Sequence, residues 1–69
     1  MLDKNALRAE IVRNGLTQKD VAKIIGVSEK TFISRMHKGN FGTDEAAKMI
    51  QALGIKNPAD IFFANQVTQ

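Results

Sequence analysis

The stretch GLTQKDVAKIIGVSEKTFISRMHKG, from Gly15 to Gly39, holds two short helical patterns separated by a turn of three to four residues. Thr17 can accept a hydrogen bond from a free backbone N–H, and Asp20 completes a capping-box pair three residues later, so a helix is predicted to start there. We expect it to end at Gly26, because glycine tolerates a positive φ. Its apolar face is assigned to Val21, Ala22, Ile24 and Ile25.

The next helix is predicted from Glu29 to about His37, with Ser28 as its N-cap and Val27 in the turn before it. Glu29 lies in the first turn, where the helix dipole favours a negative charge. Phe32 and Met36 are four residues apart and define its buried stripe. At about 100° per residue, Lys30, Ser34 and His37 form an outer face that points away from that stripe, and Thr31 and Ile33 flank this outer face on its two sides.

Two short capped helices joined by a tight turn are typical of a helix-turn-helix. The small side chain of Ala22 lets the two helices approach closely. A wedge of apolar side chains is expected to fix the angle between them, formed by Val21, Ile25, Val27 and Phe32. This arrangement leaves the outer face of the second of these helices free to enter a major groove.

A first helix is predicted upstream, from about Asp3 to Asn14, on the spacing of Ala6, Leu7, Ile11 and Val12. Gly15 ends it, and Leu16 folds back on its last turn. Downstream, Gly39 to Gly42 is predicted to be a loop whose Phe41 packs onto the core.

Thr43 is assigned as the N-cap of a fourth helix that ends at Gly54. The apolar face of this helix is assigned to Ala46, Ala47, Met49, Ile50 and Leu53. A fifth helix, capped by Asn57, is predicted from Pro58 to about Ala64. It carries Ile61, Phe62 and Phe63, and residues 65–69 are expected to fray. No alternating β-branched run occurs, so no sheet is expected.

The 69 residues predict one all-α domain, residues 1–69, with five helices. Formal net charge is +3, which favours a polyanionic partner without proving one. The chain has no cysteine and a single histidine, so neither a disulfide nor a metal site is expected. No signal-peptide pattern or membrane-length apolar run is present, which favours a cytoplasmic protein. No catalytic constellation is found, so no enzyme, cofactor or small-molecule substrate is expected.

If the predicted helix-turn-helix binds DNA, two clusters of residues are the candidate contacts. The first cluster is the start of the second helix, where Thr17 and Gln18 would face a phosphate. The second cluster lies on the third helix and comprises Ser28, Glu29, Lys30, Thr31, Ser34, Arg35 and Lys38. Lys30 can bond guanine or a phosphate, Glu29 can accept from cytosine, and Ile33 can cover a thymine methyl or contact a protein partner.

The segment LTQKDVAKIIGVSEKTF resembles the Cro and repressor helix-turn-helix domains of temperate bacteriophages and their bacterial relatives. The resemblance rests on Gln18, Ala22, Gly26, Val27 and Ser28 at that family's spacing. It implies a lambda-repressor-like fold, and operator DNA bound through Gln18, Ser28, Glu29, Lys30, Thr31 and Ser34. The segment from Gly39 to Ala64 is similar to a narrower group of small Cro-like phage regulators. The implied function is a transcriptional regulator that blocks polymerase in a lysogeny–lysis switch inside a bacterial host.

One position departs from the family pattern. Arg35 lies three residues after Phe32, where many members have an apolar residue, so Met36 is expected to pack instead and the third helix to be rotated or one residue longer. Ile33 and Glu29 on the outer face leave a second hypothesis open. In it, the chain is an antirepressor that binds the phage's CI-type repressor and alters its DNA binding. A homodimer formed through the last helix, where Phe62 and Phe63 cannot both face the core, also stays open.

Overall fold

The computed structural model describes residues 2–63, and this part of the chain is all-helical with no strand. Its five helices are α1 (Lys4–Arg13), α2 (Gln18–Ile25), α3 (Glu29–Lys38), α4 (Thr43–Leu53) and α5 (Pro58–Phe62). The radius of gyration is 11.2 Å, close to the roughly 11 Å expected of a compact domain this size. No helix among these residues is long and apolar enough to cross a membrane.

α1 begins at Asp3, whose carboxylate accepts a hydrogen bond from the N–H of Ala6 at 3.0 Å. Leu7 and Ile11, one helical turn apart, are buried. The assignment of Val12 to the same apolar face is wrong, because its side chain is 73% exposed. Val12 lies about 100° further round the helix than Ile11, so it leaves the narrow stripe that meets the core.

α2 begins with the predicted capping box between Thr17 and Asp20. It ends at Gly26, whose φ of 81° lies in the left-handed region that favours glycine. Val21, Ala22 and Ile25 are buried, as predicted. Ile24, assigned to the same face, is instead 39% exposed, because it lies on the flank of this short helix.

α3 follows after a turn of only three residues, and the Ser28 hydroxyl accepts a hydrogen bond from the Thr31 N–H at 3.1 Å. Phe32 and Met36 are both buried, which confirms the predicted stripe and the packing role of Met36. The helix ends at Lys38, one residue beyond the predicted end at His37. Phe41 in the following loop packs on the core as predicted, and the centroid of its ring lies 5.3 Å from that of the Phe32 ring.

α4 has Gly42 as its N-cap, so the assignment of Thr43 is wrong by one residue. Glu45 fixes Gly42 as the N-cap, because its carboxylate accepts a hydrogen bond from the Gly42 N–H at 3.1 Å. Met49 and Leu53 are buried and face the rest of the core. Ala47 is exposed, so its assignment to the apolar face is also wrong.

α5 starts with Pro58 at its first position, and its Ile61 is buried. Phe62 is half-buried and packs against the core, whereas Phe63 is 52% exposed. The two neighbouring phenylalanines therefore differ in their environments, as predicted. The predicted helix end at Ala64 and the expected fraying of residues 65–69 lie outside the described residues.

The two ends of the described chain meet on one side of the domain. The Asp3 N–H donates to the Ile61 carbonyl at 2.7 Å, and Leu2 is buried in the same core as Ile61. At the far end of α1, the Asn14 side-chain amide donates to the Leu53 carbonyl at 3.0 Å. α1 is thereby tied to α5 at its start and to α4 at its end.

Candidate nucleic-acid interface

The outward face of α3 is made of two parallel stripes, each with a side chain every four residues. The first, the basic stripe, consists of Lys30, Ser34 and Lys38, which are all exposed. At 1.5 Å per residue it extends about 12 Å along the helix. Neither lysine makes a salt bridge with a described residue, so both ammonium groups are available to an anionic ligand.

A shallow groove, the basic groove, runs beside the basic stripe and reaches Asn40 in the loop between α3 and α4. Its walls are formed by Lys30, Thr31, Ser34, Arg35, Lys38 and Asn40. The sequence from Lys30 to Thr43 has no acidic residue. Three cationic side chains therefore line the groove with no carboxylate from this segment among them.

The second stripe, the mixed stripe, consists of Glu29, Ile33 and His37, which are also exposed. Ile33 lies at the centre of this stripe and is 48% exposed. The carboxylate of Glu29 lies one turn before it, and the imidazole of His37 lies one turn after it. This chemistry differs from that of the basic stripe. α3 thus presents two chemically distinct stripes to solvent.

Several predicted contact residues are already engaged within the domain. The Ser28 hydroxyl donates to the Thr31 hydroxyl at 3.0 Å while capping α3, so both side chains serve the helix start. Arg35 forms an ion pair with Glu45 of α4, and the two side chains are 37% and 17% exposed. The side chains of the basic stripe are therefore more available to a ligand than those of Ser28, Thr31 or Arg35.

At the start of α2, the helix N-terminus lies next to the carboxylate of Asp20. Asp20 accepts hydrogen bonds from the Thr17 N–H at 2.8 Å and from the Thr17 hydroxyl at 3.0 Å. These bonds, that of the backbone N–H foremost, hold the pKa of Asp20 below its ordinary value. The Gln18 N–H, at the first helical position, lies outside the helical hydrogen-bond ladder and stays directed toward the N-terminal end. A phosphate arriving here would meet a negative charge as well as that donor.

Sequence reasoning missed two residues of this surface. Asn40 lines the groove from the loop, and Glu45 holds the arginine of the groove. Neither carries a local signal, because each reaches α3 only through the way the loop and α4 pack. Lys4 of α1 also reaches α3, because its ammonium group donates to the His37 carbonyl at 2.6 Å, near the end of that helix.

An uncharged apolar groove lies on the neighbouring side of the domain. It runs between α4, the α3–α4 loop and the end of α5, and is lined mainly by Leu2, Phe41, Ala46, Ala47, Ile50 and Phe63. It adjoins the basic groove at Asn40, which lines both. Within residues 2–63, no three side chains of the kinds that ligate metals come together.

No family model matches the chain, and no curated protein or solved structure is significantly similar to it.

Proposed function

We propose that α2 and α3 form a helix-turn-helix that binds double-stranded operator DNA, and that the chain is a Cro-like transcriptional regulator. The observation that carries the proposal is the basic stripe, where two free lysines flank Ser34 on the exposed face of a helix. The three-residue turn between α2 and α3 and the small, buried Ala22 of α2 are what such a motif requires. The resemblance to phage Cro domains supports the same function in a bacterial cell.

In this proposal α3 enters the major groove with the basic stripe toward one strand. Lys30, nearest the N-terminus of α3, bonds guanine or a phosphate, and Ser34 bonds a base edge. Lys38, at the far end, contacts a phosphate. Ile33 lies against a thymine methyl, and Gln18 meets the DNA backbone from the start of α2. Occupying the operator then blocks polymerase in a lysogeny–lysis switch.

The test is a titration of a fluorescent mixed-sequence duplex of about 20 base pairs, two helical turns, with the protein. It is repeated at several salt concentrations between about 50 and 200 mM, where counterion release makes affinity fall steeply. Lys30→Ala with Lys38→Ala should weaken binding and reduce the salt slope by about 1.8, or 0.9 for each lost phosphate contact. If Lys30 bonds a base instead, the reduction is about 0.9.

The matched control is Lys48→Ala with Lys56→Ala, which removes two exposed lysines from outside α3. Its net charge equals that of the stripe variant, so a general charge effect would weaken both equally. The proposal fails if the wild-type chain does not bind the duplex at low salt. It also fails if the two double variants bind alike.

The mixed stripe favours a second candidate function, that of an antirepressor. An exposed isoleucine between a carboxylate and an imidazole is a surface that fits a protein partner better than a polyanion. The partner would be the CI-type repressor of the same phage. In a gel-shift assay with that repressor and its operator, Ile33→Ala should abolish any effect of the chain, whereas the Lys30 and Lys38 variants should keep it.

A further inference from the structure

Arg35 holds the start of the α3–α4 loop through its backbone. Its carbonyl accepts hydrogen bonds from the Gly39 N–H at 2.8 Å and from the Asn40 N–H at 3.0 Å. Gly39 can take this position because its φ is 71°, in the left-handed region. The first half of the loop is therefore fixed to the last turn of α3.

The side chain of Arg35 holds the other end of the same loop. Its guanidinium is paired with one carboxylate oxygen of Glu45, while the other oxygen accepts from the Gly42 N–H. Glu45 is the less exposed partner and lies in the first turn of α4. One residue of α3 thus anchors both ends of the four-residue loop from Gly39 to Gly42.

This loop forms part of the basic groove, because its Asn40 lines the groove together with the lysines of the basic stripe. We propose that Arg35 is a positioning residue for DNA binding, which acts through Glu45 to hold the loop against the basic stripe. The inference rests on the proposed function. It assigns the arginine of the groove a role different from that of the two lysines, which contact DNA directly.

The direction in which one substitution changes DNA affinity separates this role from direct contact. Glu45→Gln keeps the shape of the side chain and an oxygen for the Gly42 N–H, but it removes the ion pair. It also frees Arg35 and raises the net charge by one. If Arg35 contacted phosphate, or if charge alone mattered, this variant would bind DNA more tightly. If Arg35 positions the loop, the variant binds more weakly despite its added charge.

We expect Glu45→Gln to weaken binding to the mixed-sequence duplex by about fivefold. The matched control is Asp44→Asn, which makes the same charge change at the adjacent exposed residue of α4. It should leave the affinity unchanged or improve it by at most about twofold. Both titrations are made well below the melting temperature of each variant, which circular dichroism gives. Tighter binding of Glu45→Gln than of Asp44→Asn would overturn the inference.

Arg35→Gln gives an independent test that also covers a poorly folded Glu45 variant. It removes the ion pair and this cation of α3, but it leaves Glu45 to accept from the Gly42 N–H. Weaker binding with an unchanged salt slope is expected. A slope reduced by about 0.9 would show that Arg35 contacts a phosphate, and would overturn the inference.

A measurement without DNA separates this inference from the proposed function. In the free protein, the amides of Asn40 and Gly42 should exchange with solvent at least about tenfold faster in Glu45→Gln than in Asp44→Asn. Unchanged exchange at both amides would overturn the positioning role. Faster exchange together with a wild-type chain that binds no duplex would instead leave the loop anchored as described and reject the proposed function.

Discussion

Asp20 is the residue whose local chemistry determines how α2 starts. Its carboxylate accepts the Thr17 N–H and hydroxyl, while the Thr17 hydroxyl accepts the Asp20 N–H at 3.1 Å. A carboxylate at this position also interacts favourably with the dipole of α2. Because these interactions favour the ionised form, the pKa of Asp20 is lower in the folded chain than in the unfolded chain.

The lowered pKa of Asp20 predicts a specific pH dependence of stability. A group whose pKa is lower in the folded state stabilises that state above its unfolded pKa, and this contribution is lost as pH falls through the folded pKa. At pH 7 we expect Asp20→Asn to melt below wild type. The gap between them should narrow as the pH is lowered from about 4 to about 3, where the carboxyl of the unfolded chain takes up its proton. Melting curves followed by circular dichroism check this, and a gap that stays constant down to that pH would contradict it.

At the scale of elements, the ends of the helices differ in how well they are capped. α1, α2 and α3 start with a side chain that accepts a backbone N–H, whereas α4 starts at Gly42 without one. Gly42 has a φ of −68° and a ψ of 161°, which any residue adopts. A Cβ added there would meet Glu45 only at 3.7 Å, an ordinary contact. The start of α4 is therefore a place where a better cap fits.

Gly42→Ser should stabilise the domain, because the serine hydroxyl can cap α4 and the substitution restricts the unfolded chain. We expect a gain of about 0.5–1 kcal/mol, or a melting temperature higher by about 4 °C. Gly42→Ala is the control, since it shares the unfolded-state effect but lacks the hydroxyl. Equal melting temperatures for the two variants would show that the hydroxyl does not cap the helix.

The same elements show what the sequence could predict. The cap of α2 was predicted because both of its partners lie within four residues of each other. The cap of α4 was misplaced by one residue because Gly42 and Thr43 both precede acidic residues. Only the hydrogen bond that the Gly42 N–H donates to Glu45 selects between them. Helical periodicity predicted that Lys30 and Ser34 share the outer face, but it grouped them with His37, which lies on the mixed stripe, and not with Lys38. The ion pair of Arg35 with Glu45 joins side chains on two helices, so it depends on tertiary packing that no local pattern encodes.

At the scale of the whole molecule, one core holds together the five helices of residues 2–63. Within this part of the chain it is formed by twelve buried apolar residues drawn from every helix and from the segments before α1 and after α4. A domain of this size has only about 3–5 kcal/mol of net stability. The short α5 contributes Ile61, which is buried while its carbonyl accepts the Asp3 N–H. The position of α3 therefore depends on a core to which α5 also contributes.

Ile61→Ala should accordingly destabilise the whole domain, without altering the proposed DNA-binding face of the molecules that stay folded. Removing a buried isoleucine costs about 2–4 kcal/mol, which lowers the melting temperature by 10 °C or more. Ile24→Ala makes the same chemical change at a position 39% exposed and should cost less than about 1 kcal/mol. Thermal melts of both variants check the difference. Because Ile61 only supports the fold, the DNA affinity of this variant, measured well below its melting temperature, should match that of wild type. A weaker affinity of the folded variant would mean that α5 also shapes the proposed binding surface.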